Sequence, residues 1–323
     1  MKNVIALAAL AIAAMPALAQ AQTTWDMPTP YAPREFHTLN VQQFVDEVKQ
    51  ATGGQLTVNV HPNGTLIRHA DILRAVSTGQ VNIAEFYPGT FGNEEAVFDA
   101  DALPFLISGY DEAWKLYQAQ KPALERVLQK RGMRLLYSVP WPPQGIFTKN
   151  AIKSVDDFKG AKFRTYSPLQ SRFVELLGAS PTVIQPAEVP QAFATGAISM
   201  MMTAATTGVA TKAWEYTGHL YLTNAWIPKN VVVVNARAFQ RLAQAQSKAL
   251  LGAAAAAEKR GWEMSRQREK ESNDILAKNG MTLHQPEPAM MAEFQRVGRV
   301  VADEWLKKAG GEGEQILKSL RGK

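Results

Sequence analysis

The sequence predicts an α/β fold, in which helical and strand patterns alternate along the chain. Three observations favour it. The chain has 323 residues, of which 46% are hydrophobic and 20% charged, an ordinary globular composition that can bury a core. Apolar residues switch repeatedly between helical and strand periodicity, which indicates a mostly parallel sheet. At about 100 to 200 residues per domain the length suggests two domains, although one large α/β domain also fits.

The first half of the chain contains a regular series of such elements. Helices end at glycines, as before Gly53 and near Gly79, because glycine readily adopts the backbone conformation that stops a helix. Strands alternate apolar and polar residues and end at turns such as the Pro-Asn-Gly segment after His61. The predicted elements are a helix at 36–52, a strand at 56–60, a helix at 71–77, a strand at 81–86, a helix at 111–131 and a strand at 133–139.

The second half contains a buried valine strand at 231–234 and one long helical pattern at 240–278 that includes five consecutive alanines. A helix of this length could brace two lobes. Proline-rich turns at 141–144 and around Pro228 are the best candidates for crossings between lobes.

Composition excludes several classes of protein. The chain has no cysteine, so disulfides, thiolate metal sites and cysteine nucleophiles are impossible. A net charge of +6 is compatible with acidic ligands, but Lys and Arg are interspersed with Asp and Glu, so we expect no nucleic acid partner.

Residues 1–21 have the form of an export signal. Lys2 precedes an apolar run, and the small residues Ala17 and Ala19 follow it. No later run is long and apolar enough to predict a membrane span. We therefore expect an exported, periplasmic protein.

Motifs of catalysis are absent. The sequence has no G-x-S-x-G elbow, no H-E-x-x-H, no Walker loop and no G-x-G-x-x-G that opens a helix. The five histidines are scattered, and adjacent acids such as Glu94 with Glu95 point apart on any regular element. The sequence therefore predicts no enzyme, no metal site and no cofactor.

The segment from Lys149 to Arg164, KNAIKSVDDFKGAKFR, carries the strongest signal. Ser154 can cap a short helix that Gly160 ends, and a strand then begins at Lys162. Arg164 falls at the end of this strand, where an α/β protein presents side chains to a crevice. The segment resembles a signature of the solute-binding proteins of tripartite ATP-independent periplasmic (TRAP) transporters, of the dicarboxylate-type DctP-like family.

The resemblance extends along nearly the whole chain after residue 21. The matching blocks, in the family's order, are TGGQL at 52–56, HPNGTL at 61–66, residues 76–82, ALPFL at 102–106, LGASP at 177–181 with Glu188, Ala192, Thr195 and Gly196, then Thr223-Asn224 and the valine strand that ends at Asn235.

The resemblance implies a two-lobed periplasmic-binding-protein-like α/β fold with hinge-crossing strands and a long bridging helix. By the same mapping, residues 23–141 and 229–268 form lobe 1, and residues 142–228 and 269–323 form lobe 2. The lobes are expected to close over one anion by a hinge movement.

In this family the arginine at the position of Arg164 pairs with the ligand's carboxylate, which its planar guanidinium matches with two parallel hydrogen bonds. Where sialic-acid-binding members have a second arginine, this chain has Gln144. With one cation, and neutral donors at Gln144 and Thr203, we expect a monocarboxylate ligand rather than a dicarboxylate or sialate.

Aromatic and soft residues are expected to line the cleft, which favours a small aromatic or branched hydroxy or keto acid. Glu85 could accept a hydrogen bond from the ligand or form a salt bridge that closes the lobes. The predicted ligand-binding residues are Arg164, Gln144, Trp141, Glu85, Phe86, Tyr87, Thr203, Ser167, Met202 and Trp226.

The implied function is to bind a small organic acid anion and deliver it to the membrane permease subunits of a TRAP transporter. Two alternatives stay open. The protein could present its ligand to a receptor kinase or chemoreceptor, or it could be a periplasmic lyase, for which Glu85 is the one candidate acid or base beside Arg164.

Overall fold

The computed structural model describes residues 22–322. The predicted export signal at residues 1–21 lies outside this range. The α-helices are α1 (Phe36–Ala51), α2 (His69–Thr78), α3 (Tyr110–Lys130), α4 (Pro168–Leu176), α5 (Val189–Ala194), α6 (Ala205–Ala210), α7 (Ala236–Gln240), α8 (Gln244–Lys278) and α9 (Pro288–Leu320). The strands are β1 (Thr23–Pro28), β2 (Leu56–His61), β3 (Ile83–Phe86), β4 (Met133–Pro140), β5 (Gln144–Thr148), β6 (Lys162–Thr165), β7 (Ser180–Val183), β8 (Met200–Ala204), β9 (His219–Tyr221), β10 (Lys229–Asn235) and β11 (Thr282–His284).

The first lobe is built around the antiparallel sheet β3-β10-β4, with the parallel pair β1-β2 beside it. Strand β10 is the valine strand of the sequence, and all its residues are buried because it lies between two neighbours. Apolar side chains of α1, α8 and this sheet form one core cluster, which includes Phe44 and Val232.

The second lobe is built around a six-stranded mixed sheet in the order β11-β9-β5-β8-β6-β7. Strands β6, β7 and β8 run parallel, whereas β5 runs antiparallel to both β8 and β9. The sequence predicts mostly parallel sheet, whereas the three-stranded sheet is antiparallel and the six-stranded sheet is mixed. The difference arises where the chain passes between lobes, because a strand that arrives from the other lobe can enter a sheet antiparallel to its neighbours without a crossover helix.

Two crossings between the lobes lie side by side. One joins β4 to β5 through Trp141, and the other joins β9 to β10 through Pro228. The backbone N–H of Trp141 donates to the carbonyl of Pro228 at 2.8 Å, and the N–H of Gln144 donates to the carbonyl of Trp226 at 3.0 Å. The prolines set the directions of these segments because each fixes its own φ angle.

Helix α8 bridges the lobes, as expected. Near its middle it packs against the first lobe, where Asn40 donates a side-chain hydrogen bond to the carbonyl of Ala257 at 3.0 Å. Near its end Leu276 lies in the core cluster of the second lobe. The predicted start at residue 240 is too early, because Asn235 caps the separate short helix α7 and α8 begins only at Gln244.

Helix α9, which the sequence reading did not identify, also contacts both lobes. Phe294 packs edge-to-face on Phe158 at 5.5 Å between ring centroids, in the second lobe. Trp305 donates from its indole nitrogen to the carbonyl of Ala96 at 2.7 Å, in the first lobe. The predicted boundaries assign residues 269–323 wholly to lobe 2; they stay a prediction, and α9 is a second brace between the lobes.

Candidate functional site

A cavity of about 40 Å³ lies between the lobes, next to the two crossings. The first lobe contributes tyrosines and a histidine, and the second lobe contributes the arginine and most of the neutral polar groups. Its lining residues are Tyr31, His69, Tyr87, Trp141, Gln144, Arg164, Tyr166, Gln185, Pro186, Thr203, Thr207 and Pro228. A cavity with apolar walls and a few convergent polar groups is typical of small-molecule binding.

The segment before Arg164 folds as the sequence predicts. The hydroxyl of Ser154 accepts from the N–H of Asp156 at 3.2 Å, and the carboxylate of Asp157 accepts from the N–H of Ser154 at 3.0 Å. This capping box begins a short 3₁₀ turn. Gly160 follows with a φ of +71°, and β6 then runs to Thr165. Arg164 is therefore held on a strand and not on a mobile loop.

Arg164 is a buried cation with only 1% of its surface exposed. Its Nε donates to the carbonyl of Ile184 at 2.9 Å, and its Nη1 has no hydrogen-bond partner in residues 22–322. No carboxylate of these residues lies within 4.0 Å of it. Burial lowers the pKa of Arg164 to about 10, because a charged group loses its hydration there. An anionic ligand would supply the negative charge and the hydrogen-bond acceptors that Arg164 lacks.

A directed chain of hydrogen bonds holds Gln144 beside the arginine. The indole nitrogen of Trp226 can only donate, and it donates to the hydroxyl of Tyr166 at 2.9 Å. That hydroxyl donates in turn to Oε1 of Gln144 at 2.9 Å, and Nε2 of Gln144 donates to the carbonyl of Pro142 at 2.8 Å. The guanidinium of Arg164 lies 5.2 Å from the centre of the Tyr166 ring. The chain therefore orders the ring that faces the cation.

Aromatic residues of the first lobe form the opposite wall. Oδ1 of Asn230 accepts from both the hydroxyl of Tyr31 and the indole nitrogen of Trp141, each at 2.9 Å. The ring of Tyr87 meets that of Tyr166 edge-to-face, with centroids 5.5 Å apart. One asparagine thus sets the position of two rings that line the cavity.

His69 and Gln185 connect the two lobes across the cavity. Nδ1 of His69 lies 3.2 Å from Oε1 of Gln185, and Nε2 accepts from the backbone N–H of Tyr87 at 3.2 Å. Burial lowers the pKa of His69 to about 4, so the ring is neutral at physiological pH.

Part of the predicted binding set lines the cavity, namely Arg164, Gln144, Trp141, Tyr87 and Thr203. The other predicted residues do not line it. Neighbouring residues of a strand face opposite sides, so the side chains of Phe86 and Met202 enter the core beside Tyr87 and Thr203. Whether each lining residue contacts a ligand stays a prediction.

Ser167 and Trp226 do not line the cavity but contact residues near it. The hydroxyl of Ser167 caps α4 by accepting from the N–H of Gln170 at 3.3 Å. Trp226 is 1% exposed and reaches the site through its hydrogen bond to Tyr166.

Glu85 lies inside the first lobe and does not line the cavity. Its carboxylate accepts from the hydroxyl of Thr29 at 2.6 Å and from Nδ2 of Asn230 at 3.1 Å, and it lies 3.3 Å from Nδ1 of His37. All these partners belong to the same lobe. In this structure Glu85 orients Asn230 and forms no salt bridge to the second lobe, and its predicted contact with a ligand stays a prediction.

Several lining residues were not identified from the sequence: Tyr31, His69, Tyr166, Gln185, Pro186, Thr207 and Pro228. Tyr166 had a weaker signal, its closeness in sequence to Arg164, but it lies in the bend after β6, where strand alternation does not predict its direction. His69 has no such signal, because no spacing in the sequence relates it to Gln185 or Arg164.

Among residues 22–322 no group of three or more His, Asp or Glu could hold a metal ion. In the same part of the chain, no helix is long and apolar enough to cross a membrane.

Comparisons with known proteins agree with this geometry. The family model of DctP, bacterial extracellular solute-binding protein family 7, matches residues 30–308. The crystal structure of DctP6 of Bordetella pertussis, an extracytoplasmic solute receptor binding pyroglutamic acid, is 45% identical, with a TM-score of 0.91 over 93% of this chain and 100% of that one. DctP7 of the same organism, also binding pyroglutamic acid, is 42% identical, with a TM-score of 0.91 over 93% and 99%.

Two further relatives are more distant. A TRAP solute-binding protein from a marine metagenome, specific for pyroglutamate, is 33% identical, with a TM-score of 0.92 over 94% of this chain and 100% of that one. A solute-binding protein of Albidiferax ferrireducens is 24% identical over 88% of this chain and 85% of its own. The chain belongs to bacterial extracellular solute-binding protein family 7 and is a periplasmic, non-enzymatic TRAP solute-binding protein.

Proposed function

We propose that this protein binds pyroglutamate and delivers it to the permease subunits of a TRAP transporter. Pyroglutamate is a five-membered lactam that carries one carboxylate. Support comes from relatives that are 45%, 42% and 33% identical over nearly the whole chain, each with pyroglutamic acid or pyroglutamate as its ligand.

The observation that best supports the proposal is that Arg164 is a buried cation without an anionic partner. It is the one Lys or Arg among the described residues that line the cavity, and its Nη1 lacks a partner there. A single cation is matched by a single carboxylate, whereas a second carboxylate would be buried without compensation. This favours a monocarboxylate over succinate or malate.

The remaining walls suit a small ring. The rings of Tyr31, Trp141 and Tyr166 line the cavity and can pack against the methylenes of a small ring. The hydroxyls of Thr203 and Thr207 can bond to a lactam, since each hydroxyl both donates and accepts. Pyroglutamate is neither aromatic nor a hydroxy or keto acid, so this proposal keeps the expected single carboxylate but replaces the expected aromatic, hydroxy or keto acid with a cyclic amide.

The test is isothermal titration calorimetry with a panel of acids. The protein is unfolded and refolded first to remove any ligand acquired during expression, which the absence of cysteine simplifies. Pyroglutamate is expected to bind more tightly than proline, succinate, malate or sialate. A preference for any dicarboxylate would overturn the proposal and would mean that Gln144 is not the neutral substitute for a second cation.

Delivery requires its own experiment. Deletion of the gene in the native bacterium is expected to lower the uptake of radiolabelled pyroglutamate, and restoration of the gene is expected to recover it. Unchanged uptake together with a lost transcriptional or chemotactic response to pyroglutamate would instead support the sensor alternative.

A further inference from the structure

The tautomer of His69 follows from its neighbours. Nε2 lies 3.2 Å from the backbone N–H of Tyr87, which can only donate a hydrogen bond. The hydroxyl of Thr90 lies 3.4 Å from the same nitrogen and can also donate to it. Nε2 is therefore the acceptor, and a neutral imidazole must then carry its proton on Nδ1.

This proton fixes the direction of the Gln185 side chain. Nδ1–H of His69 donates to Oε1 of Gln185, 3.2 Å away. The reversed amide would bring two donors together, so Nε2 of Gln185 is left free to donate toward the cavity that both residues line. The Gln185 side chain thus offers hydrogen-bond donors to the cavity, and these donors can pair only with an acceptor atom of the ligand, such as an oxygen.

The same short segment ties this donor to the anion site. The carbonyl of Ile184 accepts from Nε of Arg164, and the next residue is Gln185. When the carboxylate of a ligand binds Arg164, the amide of Gln185 is therefore expected to lie close to the ring of the same ligand.

We infer that Gln185 determines specificity by donating from Nε2 to the ring carbonyl of the ligand, with His69 as the positioning residue that orients the amide. The inference rests on the proposed function. It adds the protein group that distinguishes a lactam from a cyclic carboxylic acid without an amide. Because His69 and Gln185 belong to different lobes, the amide is oriented only when the lobes are closed, so the ring carbonyl is selected in the closed state.

The test compares two ligands on matched variants. Cyclopentanecarboxylate has the ring and carboxylate of pyroglutamate but lacks the lactam. In Gln185→Glu the carboxylate still accepts from His69 but no longer offers an amide donor. The selectivity is the dissociation constant of cyclopentanecarboxylate divided by that of pyroglutamate, both measured by calorimetry. In Gln185→Glu this ratio is expected to fall about tenfold or more from its wild-type value, since an acceptor then faces the carbonyl of pyroglutamate.

Two further variants keep the result decisive. Gln185→Met removes the donor without adding charge, and it decides the matter if Gln185→Glu does not fold. His69→Phe retains a ring of similar size but frees the amide, so the ratio is expected to fall there as well. Gln191→Glu makes the same charge change at an exposed position of the second lobe and is expected to leave the ratio unchanged.

The outcomes separate the two proposals. If wild-type protein does not bind pyroglutamate, the proposed function fails and this inference falls with it. If wild-type protein binds it, but the variants weaken both ligands by the same factor, Gln185 has only a structural role. That result would overturn the inference alone.

Discussion

Arg164 shows how one residue links stability and function. A buried guanidinium loses its hydration, and among residues 22–322 it has only the carbonyl of Ile184 as a hydrogen-bond acceptor. Its position on β6 keeps it in place, because the capped turn and the strand order the backbone before any ligand arrives. A ligand carboxylate that binds Arg164, as proposed, would meet a preorganised cation, which lowers the entropy cost of binding.

We therefore expect Arg164→Met to abolish tight binding while the fold is kept. Methionine retains most of the volume but no charge, and loss of one partner of a buried ion pair weakens binding by about a hundredfold or more. Calorimetry measures the affinity, and urea unfolding checks that the free energy of unfolding stays within about 1 kcal/mol of wild type.

The matched control is Arg172→Met on α4. Arg172 is 45% exposed and pairs with Glu304 at the surface, away from the cavity. The affinity of the Arg172→Met protein for the ligand is expected to equal that of the wild-type protein. Near-normal binding by Arg164→Met would contradict the assignment of Arg164 as the anion site.

At the scale of elements, α8 shows why a helix rich in alanine suits a bridging position. Small residues let the helix approach the first lobe closely, most of all at Gly261. A Cβ added there would lie 2.4 Å from Cγ2 of Val139 and 2.9 Å from Nδ2 of Asn40. Both neighbours are buried, so neither can move aside at low cost.

Two glycine substitutions in this helix should have opposite effects. Gly261→Ala is expected to lower the free energy of unfolding by about 2 kcal/mol, because it overpacks the contact with β4 and α1. Gly252→Ala is expected to raise it by about 0.5 to 1 kcal/mol, because alanine favours the helix and a Cβ there meets nothing within 4 Å. Urea unfolding of both variants tests this, and equal effects would mean that α8 does not pack as closely as described.

For the whole molecule, stability depends on buried groups at the contacts between α9 and the lobes. Asp99 lies in the first lobe, 4% exposed, and shares a surface groove with Leu169 of α4 and Trp305 of α9. Burial raises the pKa of Asp99 to about 7, an effect that the ammonium of Lys308 only partly offsets.

This shift predicts a loss of stability with rising pH. The folded protein holds the proton more tightly than the unfolded chain, whose carboxyl has a pKa of 3.8. The contribution of Asp99 is therefore fully present below about pH 4 and is lost as the pH rises to about 7. Asp99→Asn should remove this loss and be more stable than wild type by about 2 to 4 kcal/mol at pH 8.

The measurement is the free energy of unfolding in urea between pH 5 and 8 for wild type and variant. The difference between the two proteins should grow as the pH rises. Asp303→Asn, an exposed carboxylate on α9, is the control and should follow wild type. A constant difference across the range would mean that Asp99 is already ionised in the folded protein.

Much of the fold follows from local sequence. The capped turn before Arg164, the helix-ending glycines and the valine strand are encoded by adjacent residues, so their predicted bounds agree closely with the structure. Helix α9 and the short strands of the second lobe other than β6 escape prediction, since their patterns are broken by glycines and prolines or are too short to show a period.

The sequence by itself determined the α/β class, the family and the position of one cation, because these depend on local periodicity and on blocks of adjacent residues. Only the tertiary structure decided which side chains meet in the cavity. Thr203 faces it and Met202 does not, since the face of a strand is set by its neighbours in the sheet. His69 and Gln185 lie 116 residues apart and meet only because the lobes close on each other.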